Sequence, residues 1–74
     1  MEINRITIDP AIMSGKPCIR GLRVTVANVL RQLANHRTVD QILLAYPYLE
    51  AADVDACLLY AALRVDDEEL ALTL

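Results

Sequence analysis

The spacing of apolar residues changes at Thr25, and this change constrains the fold more than any other feature of the sequence. Up to that point, residues 5–9 and 22–26 alternate polar and apolar side chains, which is the pattern of a β-strand. From Val26 onward, apolar residues recur every three or four positions, as on one face of an amphipathic helix. The sequence therefore predicts a mainly α fold, in which a short N-terminal β-ribbon within residues 1–26 precedes three helices.

Signals for helix ends place the three helices. Thr25 can cap the first helix, and residues 38–41 have the capping-box pattern that starts a second. Pro47 predicts a stop near Tyr46, because the residue before a proline avoids helical geometry. The third helix is predicted over residues 51–64, with a core-facing stripe that consists of Val54, Cys57, Leu58, Ala61, Ala62 and Val65.

The third helix has a second apolar stripe, which contains Ala56, Leu59, Tyr60 and Leu63. Burial of one leucine-sized side chain contributes roughly 1.5–3 kcal/mol, so this stripe predicts an association surface. A domain of this size also needs a further source of stability, such as disulfides, a bound metal or a partner chain. Self-association is the source that remains once disulfides and metals are set aside. We therefore expect a homodimer or higher homo-oligomer. The alternative is that strands of the same chain cover the stripe.

Residues 66–74 are predicted to be a tail that follows a single domain of residues 1–65. The tail begins with four acidic residues and continues with Leu70, Leu72 and Leu74, which alternate with other residues. Such a segment can order on a partner, its acids meeting basic residues and its leucines filling pockets. The alternative is a frayed terminus.

The rest of the composition excludes several classes of protein. Two cysteines do not make a disulfide framework, and a single histidine, His36, leaves too few ligands for a zinc site. No nucleophilic side chain has a positioned base, so we predict that the chain is not an enzyme. We also predict no bound metal and no cofactor. The start lacks the pattern of a signal peptide, and the longest apolar run, residues 56–63, is too short to span a bilayer. These features predict a cytoplasmic protein with no membrane contact.

Charge is distributed unevenly along the chain. Residues 1–37 carry a net charge of +4, whereas residues 38–74 carry −7. This division predicts an anionic partner for the first half and a cationic partner for the acidic end. Ordinary scatter of surface charge is the alternative.

A specific motif occupies residues 15–23, with the sequence Gly-Lys-Pro-Cys-Ile-Arg-Gly-Leu-Arg. Together with residues 5–10 before it and matching stretches as far as residues 60–62, it resembles the bacterial domain-of-unknown-function 433 family. The resemblance covers residues 3–64. Three positions depart from the family pattern: Leu22 and Glu50 stand where threonine is usual, and His36 where glycine follows the first helix. The last two weaken helix caps, each by about 1 kcal/mol.

The resemblance implies a homeodomain-like or winged-helix-like helix-turn-helix fold. It also implies an antitoxin that dimerises, binds its own operator DNA and neutralises a PIN-like ribonuclease toxin through a flexible end. The alternatives are a DNA-binding transcriptional regulator without a toxin and a protein-interaction adaptor that binds no nucleic acid.

The third helix does not have the residues of a DNA-recognition helix. Asp53 and Asp55 lie near its start, and no cation precedes Arg64. We expect the residues that contact phosphates to be the cations of the first half, namely Lys16, Arg20, Arg23, Arg31 and Arg37. Arg20 or Arg23 could instead pair with Asp9 or donate to carbonyls of the glycine turns. We expect the partner or dimer interface to contain Leu59, Tyr60, Leu63, Leu70, Leu72 and Leu74.

Overall fold

The computed structural model describes residues 3–67, which form a small β-ribbon followed by three helices. The antiparallel strands are β1 (Ile6–Thr7) and β2 (Cys18–Ile19), and the helices are α1 (Val26–Ala34), α2 (Val39–Ala45) and α3 (Ala51–Asp67). Short 3-10 turns occupy Ile3–Arg5 and Met13–Gly15. The predicted mainly α architecture with an N-terminal ribbon is confirmed.

The strands of the ribbon are shorter than predicted, and the second lies elsewhere. β1 pairs with β2 through Ile6 opposite Ile19 and Thr7 opposite Cys18. The predicted strand over residues 22–26 is wrong: Leu22 and Arg23 lie in a turn, and Thr25 forms only an isolated bridge with Cys18. The alternation there arises because Val24 is buried while Arg23 is exposed, which a turn and a short bridge achieve as well as a strand.

The two glycines allow turns that few other residues adopt. Gly15 and Gly21 both have positive φ, 79° and 71° respectively. A Cβ added at Gly21 would meet no atom within 4 Å, so the requirement there is conformational and not steric. At Gly15 the nearest atom would be a Pro10 backbone carbon at 3.7 Å, which is an ordinary contact. A side chain at either glycine is therefore disfavoured by the positive φ alone.

The first two helices begin where their capping residues predict. The Thr25 hydroxyl accepts a hydrogen bond from the Asn28 amide at 3.0 Å and caps α1. Thr38 and Gln41 form the predicted capping box at the start of α2, with distances of 3.1 and 2.9 Å between the paired atoms. α2 ends at Ala45, immediately before the predicted stop. These contacts are local, which is why the sequence alone is enough to find them.

α3 is longer than predicted and only its first half is buried. It continues to Asp67, so the predicted boundary between residues 65 and 66 falls inside the helix. The core-facing stripe is partly wrong, because Leu58 is 48% exposed and Val65 is 64% exposed. The buried core that surrounds the first half of α3 consists of Ile19, Val24, Val26, Val29, Leu49, Val54 and Cys57. No helix within residues 3–67 is long and apolar enough to cross a membrane.

Candidate functional site

A fully buried carboxylate, Asp53, lies in the first turn of α3 and accepts four hydrogen bonds. Arg20 donates to it twice, from Nε to Oδ1 at 3.0 Å and from Nη2 to Oδ2 at 2.9 Å. Arg5 donates from Nη1 to Oδ1 at 3.0 Å, and the Glu50 amide donates to Oδ2 at 2.8 Å. A buried carboxylate is stable only when such donors replace its lost water, and here both oxygens have two.

These contacts determine the protonation states of Asp53, Arg5 and Arg20. Burial would raise the pKa of Asp53, but the hydrogen bonds from Arg20, the Glu50 amide and Arg5 outweigh burial and lower that pKa below its ordinary value. The pKa of Arg5 is raised, first by its hydrogen bond to Glu50 Oε1 at 2.7 Å and then by Asp53. The hydrogen bond to Asp53 also raises the pKa of Arg20. The cluster is therefore fully ionised at neutral pH.

The Arg5–Arg20–Asp53 cluster has a structural role. It joins the turn before β1 and the turn after β2 to the start of α3, where Asp53 lies 48 residues after Arg5 and 33 residues after Arg20. Arg20 also donates from Nη2 to the Tyr48 carbonyl at 2.9 Å. These bonds occupy its Nε and Nη2 groups, so Arg20 has a structural role and its acidic partner is Asp53 and not Asp9, whereas a contact of Arg20 with nucleic acid stays a prediction.

Sequence reasoning missed the role of Asp53, which it treated as one of two acidic residues that make the third helix unlike a DNA-recognition helix. One signal could have found it. Asp53 is the third residue of α3 and lies beside Val54 on the face that Val54 and Cys57 bury. A carboxylate at that position accepts backbone amides at the helix start, and its burial demands a cationic partner. Arg5 and Arg20, which come from the two turns beside the ribbon, supply that partner.

An apolar groove of about 350 Å³ lies between α1 and the second half of α3. The turn before β2 contributes Lys16 and Pro17 to its lining. α1 and its cap contribute Thr25, Val26, Ala27 and Leu30, and α3 contributes Tyr60, Ala61, Arg64 and Val65. The groove arises because α3 extends past the buried core, so that apolar side chains face a space that no other element among residues 3–67 fills. A groove of this volume is large enough to hold several side chains of a partner.

The remaining predicted phosphate contacts are exposed and lie in different parts of the fold. Lys16 is at the groove, Arg23 is in the turn before α1, Arg31 is in α1 and Arg37 follows it. None of the four side chains forms an ion pair with another residue among those that the structure describes. They are therefore available to an anionic partner.

The predicted interface residues divide into three groups. Tyr60 packs against the domain's own core and also lines the groove, while Leu59 is half-buried. Leu63 is 45% exposed. Leu70, Leu72 and Leu74, and with them most of the predicted tail, lie outside the described residues.

Other reactive groups in the described part of the chain do not assemble into a chemical site. Residues 3–67 contain no group of three or more histidine, cysteine or acidic side chains that could hold a metal ion. Both cysteines are free and buried, and Cys18 Sγ donates to the Lys16 carbonyl at 3.3 Å. Burial raises the pKa of Cys57 to about 11, which keeps this thiol protonated and unreactive.

Comparison with known proteins identifies the family. The family model described as "Protein of unknown function (DUF433)" matches residues 6–61. A curated relative, "Uncharacterized protein y4eO" of Sinorhizobium fredii (strain NBRC 101917 / NGR234), is 36% identical over 56 residues. That match covers 76% of this chain and 25% of the relative, so the chain spans about a quarter of the relative's length. No solved structure matched the chain. The chain belongs to the DUF433 family, as its motif at residues 15–23 predicted.

Proposed function

We propose that this chain is an antitoxin-like protein-binding module, which forms a dimer and neutralises a PIN-like ribonuclease toxin by binding it. The observation that carries the proposal is the second half of α3. This half extends past the core and exposes Leu63 and Val65, of which Val65 lines the apolar groove, and Leu58 just before it is also exposed. It acts by binding and not by catalysis, and its two buried free thiols fit a reducing cytoplasm.

The apolar surface supports a partner on energetic grounds. Each leucine-sized side chain that a partner buries contributes roughly 1.5–3 kcal/mol, and three such residues lie within eight positions of one helix. Leu58 and Val65 are seven residues apart and therefore lie on one face of the helix, and an exposed apolar face on a small domain commonly marks a protein interface. Asp66 and Asp67, both exposed in the last turn of α3, add negative charge at one end of this surface. A toxin surface with basic residues would complement that end.

The exposed cations favour a second activity, the binding of operator DNA. Lys16, Arg23, Arg31 and Arg37 lie on the ribbon side of the chain and around α1, and α3 offers carboxylates. Such an arrangement contacts phosphates and contributes affinity more than sequence selectivity. DNA binding by these residues would weaken steeply with salt, because each neutralised phosphate releases a counterion.

The test takes any PIN-like ribonuclease that is encoded in a neighbouring reading frame. The purified chain should inhibit RNA cleavage by this enzyme at about equimolar ratio and co-elute with it. If the chain stays monomeric and the ribonuclease keeps full activity in its presence, the proposal is wrong. DNA binding is tested separately by titration of the upstream DNA at two salt concentrations. An affinity that does not fall with salt would contradict the second activity.

A further inference from the structure

The groove between α1 and α3 lacks an occupant among residues 3–67. Its walls are apolar, and they consist mainly of Val26, Ala27 and Leu30 on α1 opposite Ala61 and Val65 on α3. Lys16 adds a positive charge at its lining and forms no ion pair with another residue among residues 3–67. An occupant that fits must therefore bring apolar side chains for the walls and negative charge for Lys16.

The segment that follows α3, residues 68–74, has this chemistry. Its sequence is Glu-Glu-Leu-Ala-Leu-Thr-Leu, so two acids precede three leucines at alternate positions. In an extended segment, alternate side chains point to one side at intervals of about 7 Å. Val26 and Leu30 on α1 are four residues apart, which places them about 6 Å apart along the helix axis. The leucine spacing therefore matches the spacing of the wall residues.

We propose that the groove binds residues 68–74 of a second copy of this chain. Glu68 and Glu69 lie against Lys16, and the leucines fill the apolar walls. Two copies can exchange these segments reciprocally, so that each groove is filled and the assembly closes as a symmetric dimer. This inference rests on the dimer in the proposed function and names the surface that forms it. A basic toxin surface then competes with the groove for the same segment.

A second copy is favoured over the chain's own segment by the direction of α3. The helix continues to Asp67, two residues beyond the groove residue Val65, and its residues from Ala62 to Asp67 are exposed. A segment that fills its own groove must reverse immediately after the helix. Residues 68–74 contain no glycine, proline or asparagine, the residues that most often make such a reversal. Insertion into a neighbouring molecule does not require the reversal.

Charge-reversal substitutions in the chain of residues 1–74 test the proposal without any toxin. Lys16→Glu makes the groove repel acids, and Glu68→Lys with Glu69→Lys makes the segment repel the native groove. Each variant alone should dimerise about tenfold more weakly than the unmodified chain in sedimentation velocity. An equimolar mixture of the two should recover dimers, because both contacts of the mixed dimer are again complementary. Arg37→Glu, an equal charge change at an exposed cation outside the groove, should leave dimerisation unchanged.

A steric pair of variants tests the apolar walls. Ala27→Trp fills the groove from α1 and should weaken the dimer, whereas Ala34→Trp, at an exposed position of the same helix outside the groove, should not. The proposal is overturned if the unmodified chain is monomeric, if Lys16→Glu dimerises normally, or if the mixture does not recover dimers. Any of these results leaves inhibition of the ribonuclease to be judged by its own assay.

Discussion

At the scale of single residues, Asp53 has the greatest influence on this fold. Its carboxylate is fully buried, and its hydrogen bonds hold together segments that are distant in sequence. A buried ion pair contributes little when compared with an apolar replacement of the same shape. The removal of one partner is different, because it leaves uncompensated charges of the other sign in a low dielectric. Substitution of Asp53 should therefore lower the free energy of unfolding of the whole small domain.

The substitution Asp53→Asn tests this role. It keeps the shape of the side chain but removes the charge that balances Arg5 and Arg20, so we expect a loss of about 3 kcal/mol in the free energy of unfolding. Urea denaturation followed by circular dichroism measures it. Asp55→Asn, at an exposed position of the same helix turn, is the matched control and should change stability by less than about 0.5 kcal/mol. Equal effects of the two substitutions would contradict the structural role of the cluster.

The lowered pKa of Asp53 also predicts how stability depends on pH. The folded-state pKa lies below the ordinary value of 3.8, so the folded state favours the ionised carboxylate more than the unfolded state does. The resulting stabilisation is complete above about pH 4 and is lost as the pH falls through the folded-state pKa. Urea midpoints should therefore fall more steeply below about pH 4 in the unmodified chain than in the Asp53→Asn variant. If the urea midpoints of the two proteins fall in parallel as the pH is lowered, Asp53 is not responsible for the loss of stability.

At the scale of secondary structure, the end of α1 contains a position with unfavourable geometry. His36 follows the helix with φ of 66°, in the left-handed region that favours glycine. Its amide donates to the Leu33 carbonyl at 3.0 Å, and the Arg37 amide donates to the Gln32 carbonyl at 3.0 Å. These two bonds form a Schellman motif, in which glycine is the usual residue at the position of His36.

His36→Gly should therefore stabilise the chain. Glycine removes the steric strain of the left-handed backbone, and part of the gain is offset by the greater freedom of the unfolded chain. We expect a net increase of about 0.5–1 kcal/mol in the free energy of unfolding, measured as a higher urea midpoint. The neighbouring Asn35 has φ of −89°, so Asn35→Gly should lower stability instead. Stabilisation by both changes would indicate a cause other than backbone strain.

Sequence predicted these elements to the extent that their signals are local. The caps formed by Thr25 and Thr38 depend on residues three positions away, and both were correctly predicted. The second strand was misplaced because β pairing depends on a partner eleven or more residues away, as with Thr7 and Cys18. The same holds for the Asp53 cluster, whose arginines come from distant turns. The groove was not predicted either, since it depends on where α3 leaves the core.

At the scale of the whole molecule, the extent of α3 determines which surfaces remain for partners. The first half of the helix buries Asp53, Val54, Ala56 and Cys57, whereas the second half has no equivalent cover among residues 3–67. The core is therefore complete without the last turns of α3. Those turns can be altered with little effect on folding, which separates the surface that binds partners from the core that stabilises the domain.

The exposed half of α3 can accordingly be tested by a change that preserves the fold. Val65→Asp places a charge in the groove that is proposed as the dimer interface, and the lost burial of one valine should weaken dimerisation about 10-fold to 100-fold in sedimentation equilibrium. Leu44→Asp is the matched control, because Leu44 lies on α2 outside the groove and is 82% exposed, against 64% for Val65. Both variants should keep the helical circular dichroism of the unmodified chain. If Leu44→Asp weakens the dimer as much as Val65→Asp, the interface does not lie on α3. If neither does, exposed apolar surface on this helix does not mediate self-association.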